Sequence, residues 1–174
     1  MQSPDFVALC TQAAALGAAL RQRGWRLVTA ESCTGGLVSA AVTSVAGSSD
    51  WFDRGMVTYS NTAKTDLLGV DTALFAQVGA VSSEVARAMA LGALQHAGAE
   101  LAVAVTGIAG PGGGTPDKPV GTVWFGLAWR DCGAAHCQTR HMLFKGDRAE
   151  VRLQAAACAL RWAQDAAQSA SGQP

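Results

Sequence analysis

Ser32 and Cys33 stand side by side in the run Thr29-Ala30-Glu31-Ser32-Cys33-Thr34-Gly35-Gly36. One carries a hydroxyl, the other a thiol, and either could attack an electrophilic carbon. The apolar run Trp25 to Val28 precedes them, and an apolar-periodic segment (Leu37, Val38, Ala41, Val42, Val45) follows. The pattern reads as a short buried strand, a tight turn and a helix start. Unpaired backbone N–H groups at such a start can hold a phosphate or stabilise an oxyanion. A thiolate there would have a depressed pKa, although Cys33 could equally pack inward. Neighbours in a turn point in different directions, so only one of the two faces a given substrate.

A serine hydroxyl needs a base to take its proton. The three histidines offer none at a useful position: His96 ends a helix, and His136 and His141 belong to the start of a hairpin strand. A Ser-His-Asp triad is not supported. The alternative base is a lysine, and the chain has only Lys64, Lys118 and Lys145. Lys64 follows Tyr59-Ser60-Asn61-Thr62-Ala63, just past a second strand. If the two strands are neighbours, their ends bring Tyr59 and Lys64 to the Ser32 turn. Lysine serves as a base when desolvation or nearby positive charge lowers its pKa. Tyr59, the single tyrosine, could relay a proton or orient the amine. The plain alternative is a strand-end aromatic and a solvated helix lysine. Two familiar patterns are excluded. The spacing is Tyr-x4-Lys, not the Tyr-x3-Lys of short-chain dehydrogenases, and position 35 is Gly, not the Lys of a Ser-x-x-Lys motif.

Other residues could support such a centre. Residues 107–114 are Gly-rich, which suits an anion cradle or, equally, a flexible connection. They match neither a phosphate-binding P-loop nor a dinucleotide fingerprint. Thr106 ends a buried strand beside this loop and could hold a polar substrate group. Arg148, opening the last helix, could pair with a phosphate or carboxylate. Glu31 could bind a cationic group or fix the turn, the structural role being favoured. Asp53 and Arg54 suit a surface pair of little consequence.

The elements that must position these residues follow from periodicity. Phe6, Leu9, Cys10, Ala13, Leu16 and Leu20 predict a helix over 4–23, ended by Gly24. Strands are expected at 26–30 and 55–59, and a helix at 34–46. Short helices are expected at 61–68 and 72–77. Ser82 caps a helix running to His96. Leu101 to Thr106 reads as a strand buried on both faces. Residues 107–119 form a loop. Residues 120–129 and 136–144 form a β-hairpin around Asp131, Cys132 and Gly133. Asp147 caps a last helix over 148–168, and 169–174 is a polar tail. The order α β α β α α β β β α predicts a mixed sheet with helices on both faces, in a single domain.

The 174 residues suit one domain with a substantial core. Apolar residues make up 49% and charged ones 15%, which excludes a disordered chain. Thirteen basic residues balance thirteen acidic ones without a basic stripe, so nucleic-acid binding is not expected. No signal peptide or membrane span is read. Five cysteines without a secretory signal point to reduced thiols in a cytoplasmic protein. Cys132 and Cys137, with His136 and His141 nearby, fit no common zinc spacing.

Many segments together resemble one family. They are the 29–36 run, Ala46-Gly47-Ser48-Ser49, Trp51-Phe52, Val57-Thr58-Tyr59-Ser60-Asn61, Lys64, Gly79-Ala80-Val81-Ser82, Thr106-Gly107-Ile108-Ala109-Gly110-Pro111, Lys118 to Val123 and Gly146-Asp147-Arg148. In this order, across about residues 5 to 165, the chain is similar to the CinA C-terminal domain family. Stand-alone members hydrolyse nicotinamide mononucleotide to nicotinate mononucleotide and ammonia. The resemblance implies a three-layer α/β/α sandwich with a mixed sheet, no cofactor or metal, and a homodimer. It implies Ser32 as nucleophile, Lys64 as base and Tyr59 in support. Glu31, Cys33, Thr34, Gly35, Ser49, Thr106, Gly107 and Arg148 are the expected substrate-binding set, with Thr34 and Gly35 N–H groups as oxyanion donors. A catalytically silent nucleotide-binding module and an amidase for another substrate are the alternatives.

Overall fold

The computed structural model describes residues 4–169. Five strands form one sheet: β1 (Leu27–Glu31), β2 (Phe52–Val57), β3 (Leu101–Gly107), β4 (Thr122–Asp131) and β5 (Ala134–Leu143). Their order is β2-β1-β3-β4-β5. β1 pairs in parallel with both β2 and β3, while β3, β4 and β5 pair antiparallel. The sheet is therefore mixed. The described residues also form six α-helices: α1 (Phe6–Arg23), α2 (Leu37–Thr43), α3 (Asn61–Leu68), α4 (Thr72–Gln77), α5 (Ser83–His96) and α6 (Arg148–Ser169).

The strand pleat sorts the core into two layers. Leu101, Val103 and Val105 face α1, α2 and α6, joining Leu16, Val38, Val151 and Leu160. Ala102 and Ala104 face the other way, toward Met89, Ala90 and Ala93 of α5. Small residues on that face let α5 lie close to the sheet. At Gly126 of β4 a Cβ would strike the Ala86 carbonyl of α5. The result is the expected three-layer α/β/α sandwich.

Several boundaries differ from the sequence expectation. The helix expected at 34–46 is only Leu37–Thr43. Gly35 and Gly36 have φ of 59° and 96°, so the chain is still turning there, and a separate 3-10 turn occupies Ser48–Asp50. The second strand begins at Phe52 rather than 55, and β4 begins at Thr122 rather than 120. The hairpin turn is two residues, Cys132 (φ 47°) and Gly133 (φ 83°), the all-positive turn that matches strand twist. Asp5 caps α1, and Gly24 ends it in the left-handed conformation. Asp147 and Glu150 form a reciprocal capping box at α6. The expected polar tail lies, beyond Ser169, outside the described residues.

β1 and β3 are parallel neighbours, and the chain leaves β1 toward β2 on one side and β3 toward β4 on the other. A crevice opens where neighbouring parallel strands diverge in this way, beyond their carboxyl ends. Ser32 follows β1 there, and Gly107 ends β3.

Candidate active site

The Ser32 turn is built on a buried carboxylate. Glu31 is fully buried and accepts four hydrogen bonds. Its Oε2 takes the Gly36 and Val38 N–H groups at 2.9 and 3.1 Å. Its Oε1 takes the Ser39 N–H at 2.8 Å and the Ser39 hydroxyl at 2.7 Å. No side chain of the Gly36 N-cap satisfies the start of α2, so Glu31 supplies that function from one residue before Ser32. It fixes the turn, the role favoured for it from the sequence, and it does not line the Ser32 cavity.

Ser32 donates its backbone N–H to Val105 of β3 at 2.9 Å and lies almost fully buried. Its carbonyl accepts the Gly35 N–H at 3.0 Å. The Gly35 N–H, an expected oxyanion donor, is thus engaged in closing the turn. The Cys33 and Thr34 N–H groups donate to no carbonyl or carboxylate among the described residues. A long-range contact steadies this segment. Arg152 of α6 donates to the Thr34 carbonyl at 2.8 Å.

Lys64 is 1% exposed, a rare state for lysine. Residues 58–60 carry the chain from β2 into α3, and Ser60 caps that helix. One turn in, the Lys64 side chain reaches back over the Ser32 turn. Its Nζ lies 3.1 Å from Ser32 Oγ, 2.8 Å from the Thr58 carbonyl and 3.4 Å from the Tyr59 carbonyl. Burial lowers its pKa below the ordinary 10.5, a shift that the neighbouring Cys33 thiol only partly opposes. In the neutral amine two N–H bonds match the two carbonyls, and the lone pair is left for the Ser32 hydroxyl proton. The geometry and the pKa direction agree on what this amine can do.

Tyr59 contributes differently from the relay expected of its phenol. Its carbonyl holds the amine, while its ring is largely exposed and its Oη accepts from Arg148 Nη2 at 2.9 Å. Arg148 also donates to the Gly110 carbonyl at 2.8 Å, tying α6 to the Gly-rich loop. Thr106 Oγ1 donates to the Ala80 carbonyl at 2.8 Å, so that hydroxyl can only accept from a substrate.

Ser32, Cys33, Tyr59, Lys64, Thr106, Gly107 and Arg148 line one cavity of about 210 Å³ with Asn61, Ala80, Val81 and Ala109. A second cavity of about 500 Å³ shares Ala109 and Arg148 with it and runs along the start of α6 to Arg152. Asn61 and Arg152 escaped the sequence reading. Asn61 carried a signal, since it lies three residues before Lys64 in the same helix. Arg152 carried none, being 118 residues from its partner.

One expected residue meets the cavity in an inert state and another lies elsewhere. Cys33 is buried, and its thiol is pushed up to about 12 by loss of solvent, the reverse of an activated thiolate. Its Sγ packs near Gly107, where a Cβ would stand 3.1 Å away. Ser49 sits in the 3-10 turn beside Trp51, whose carbonyl meets Leu27 at the opposite end of β1. That is roughly 16 Å from Ser32 at ~3.3 Å per strand residue. Among the described residues no three His, Cys, Asp or Glu side chains form a group that could hold a metal ion, and no helix is long and apolar enough to cross a membrane.

Known proteins share this framework. The model of the CinA C-terminal domain matches residues 10–167. Nicotinamide-nucleotide amidohydrolase PncC of Enterobacter agglomerans is 57% identical over 148 residues, covering 85% of this chain and 88% of that protein. A CinA-like protein of Geobacter sulfurreducens is 56% identical over 142 residues, and the match spans 82% of this chain but 33% of that longer protein. The crystal structure of competence/damage inducible protein CihA from Agrobacterium tumefaciens superposes with a TM-score of 0.85 at 42% identity, covering 93% of this chain and 96% of that one.

Proposed function

The chain belongs to the CinA C-terminal domain family, and on that premise we propose that it hydrolyses the carboxamide of nicotinamide mononucleotide, giving nicotinate mononucleotide and ammonia, as a step in recycling pyridine nucleotides. The observation that carries this reading is the buried Lys64 amine 3.1 Å from Ser32 Oγ. It is supported by relatives named nicotinamide-nucleotide amidohydrolase at 51–57% identity over most of their length.

In this mechanism neutral Lys64 takes the Ser32 hydroxyl proton as Oγ bonds to the carboxamide carbon. The carbonyl π pair moves to oxygen. The N–H of Cys33, a residue that lines the cavity, receives that oxyanion, a donor worth ~3 kcal/mol in a dry site. The C–N bond breaks as the Lys64 ammonium returns its proton to the departing nitrogen, releasing ammonia and leaving an acyl-serine. Lys64 then takes a proton from water, whose oxygen attacks the same carbon. Collapse breaks the Oγ–C bond, Lys64 reprotonates Ser32, and the acid product loses its proton to solvent.

The pyridine ring fills the smaller cavity, and the phosphate extends into the larger one. Arg148 retains N–H donors beyond the two bonds it makes, Arg152 lies on the same wall, and the start of α6 favours an anion there. Tyr59 Oη accepts from Arg148, which leaves its own O–H to donate toward substrate. The family resemblance carries a homodimer into the same proposal, and sedimentation velocity reads that state.

Ammonia release from nicotinamide mononucleotide by the purified protein tests the reading, beside Ser32→Ala and Lys64→Ala. Turnover by the parent protein and its loss in both folded variants is the expected result. A Ser32→Ala variant that keeps most of its turnover overturns the assignment.

A further inference from the structure

We infer that Asn61 is a specificity-determining residue that recognises the amide nitrogen of the substrate and so selects a carboxamide over an ester or acid of the same shape. The inference rests on the amidohydrolase reading above. Asn61 is the first residue of α3, and Lys64 follows it by three positions. Residues so spaced lie on one helix face. Both line the Ser32 cavity.

Asn61 stands apart from its polar neighbours in this cavity. Ser32 and Lys64 are hydrogen-bonded to one another, Thr106 is bonded to Ala80, and Tyr59 to Arg148. The Asn61 side-chain amide makes no hydrogen bond with any described residue, and it is solvent-exposed. A ligand that fills the cavity covers this group and must satisfy it or leave it unpaired at a cost.

The chemistry fixes what part of the ligand lies there. The attacked carbonyl oxygen turns toward the Cys33 side of the turn. The departing nitrogen must come within reach of Lys64, because that amine delivers its proton. Asn61 flanks Lys64, so it flanks the nitrogen. A primary amide presents two N–H donors, and the Asn61 Oδ1 accepts one of them. An ester oxygen in the same place has no proton to give. A site built around a substrate N–H discriminates strongly against an analogue lacking it.

The test compares nicotinamide mononucleotide with the methyl ester of nicotinate mononucleotide, whose leaving oxygen carries no hydrogen. For Asn61→Ala the expected result is a fall of ~10- to 100-fold in kcat/KM for the amide and only a few-fold change for the ester. Asn61→Asp, which keeps an acceptor oxygen, is expected to recover part of the amide rate. Equal losses on both substrates would show a merely structural contribution to α3 and overturn the inference. If the parent protein releases no ammonia from the nucleotide yet hydrolyses another amide, the underlying substrate assignment fails. The amide-to-ester ratio of Asn61→Ala on that other amide then decides the role of Asn61 separately.

Discussion

Glu31→Gln separates a residue that shapes the turn from one that touches substrate. The carboxylate is fully buried and receives four donors, two on each oxygen. Glutamine retains one oxygen, which can keep the pair from Ser39. Its NH₂ group then faces the Gly36 and Val38 N–H groups, donor against donor. Two hydrogen bonds to a charged acceptor are lost, at about 1.5–3 kcal/mol each, and two donors are left unpaired at the start of α2. Part of this loss is recovered as α2 shifts, so the expected destabilisation is about 3–5 kcal/mol, a large share of the 5–15 typical of a domain. Urea unfolding followed by circular dichroism reads the stability, and ammonia release reads kcat and KM. The expected outcome is a lower unfolding midpoint together with a lower kcat, since Ser32 adjoins the disturbed turn. A variant with the parent's midpoint and a raised KM alone would refute the reasoning, because it would mean the carboxylate meets a ligand.

Further outcomes follow from the two titrating groups beside Ser32. In the proposed mechanism Lys64 acts as the free amine, and burial lowers its pKa, so kcat/KM should rise with pH through a value below 10.5 and level off above it. An inflection at the ordinary lysine value in a pH–rate profile would contradict that. The stability consequence has a definite sign: between the lowered folded pKa and 10.5 the unfolded chain binds more protons, so this residue's contribution makes stability increase with pH across that window. For Cys33, whose thiol is buried and pushed up to about 12, Cys33→Ala should retain most of its kcat, and iodoacetamide should label exposed Cys132 well before Cys33. Inactivation in step with labelling of Cys33 would reopen its claim to be the nucleophile.

Local pattern was the legible part of this chain. The apolar spacing of α1, the Ser82 cap and the turn after Asp131 each depend on neighbours a few residues apart, and the mixed sandwich follows from their order. The errors lie where a local signal has two meanings. Gly35 and Gly36 next to Leu37 look like a helix start, yet their positive φ delays the helix to Leu37. Cys33 beside a helix start looks activated, yet the direction of its side chain decides burial, and spacing does not encode that direction. Ser49 lies within a segment that matches the family, yet the sheet carries it to the other end of β1.

The polar contacts that shape the site are the least legible, for a physical reason. Periodicity tells which face of an element is buried, but not which carbonyl a long side chain will find. Arg152 meets Thr34, Arg148 meets Gly110 and Lys64 meets Ser32 only because α6 and α3 begin beside the same turn. These bonds also explain how an amine survives burial here. A buried cation is costly unless acceptors surround it, and the Thr58 and Tyr59 carbonyls supply two while Ser32 supplies the third. The same two carbonyls satisfy the neutral amine, so the pocket tolerates both protonation states without rearranging. The proposed acyl transfer, which passes a proton to Lys64 and back twice, needs that tolerance more than it needs a strong base.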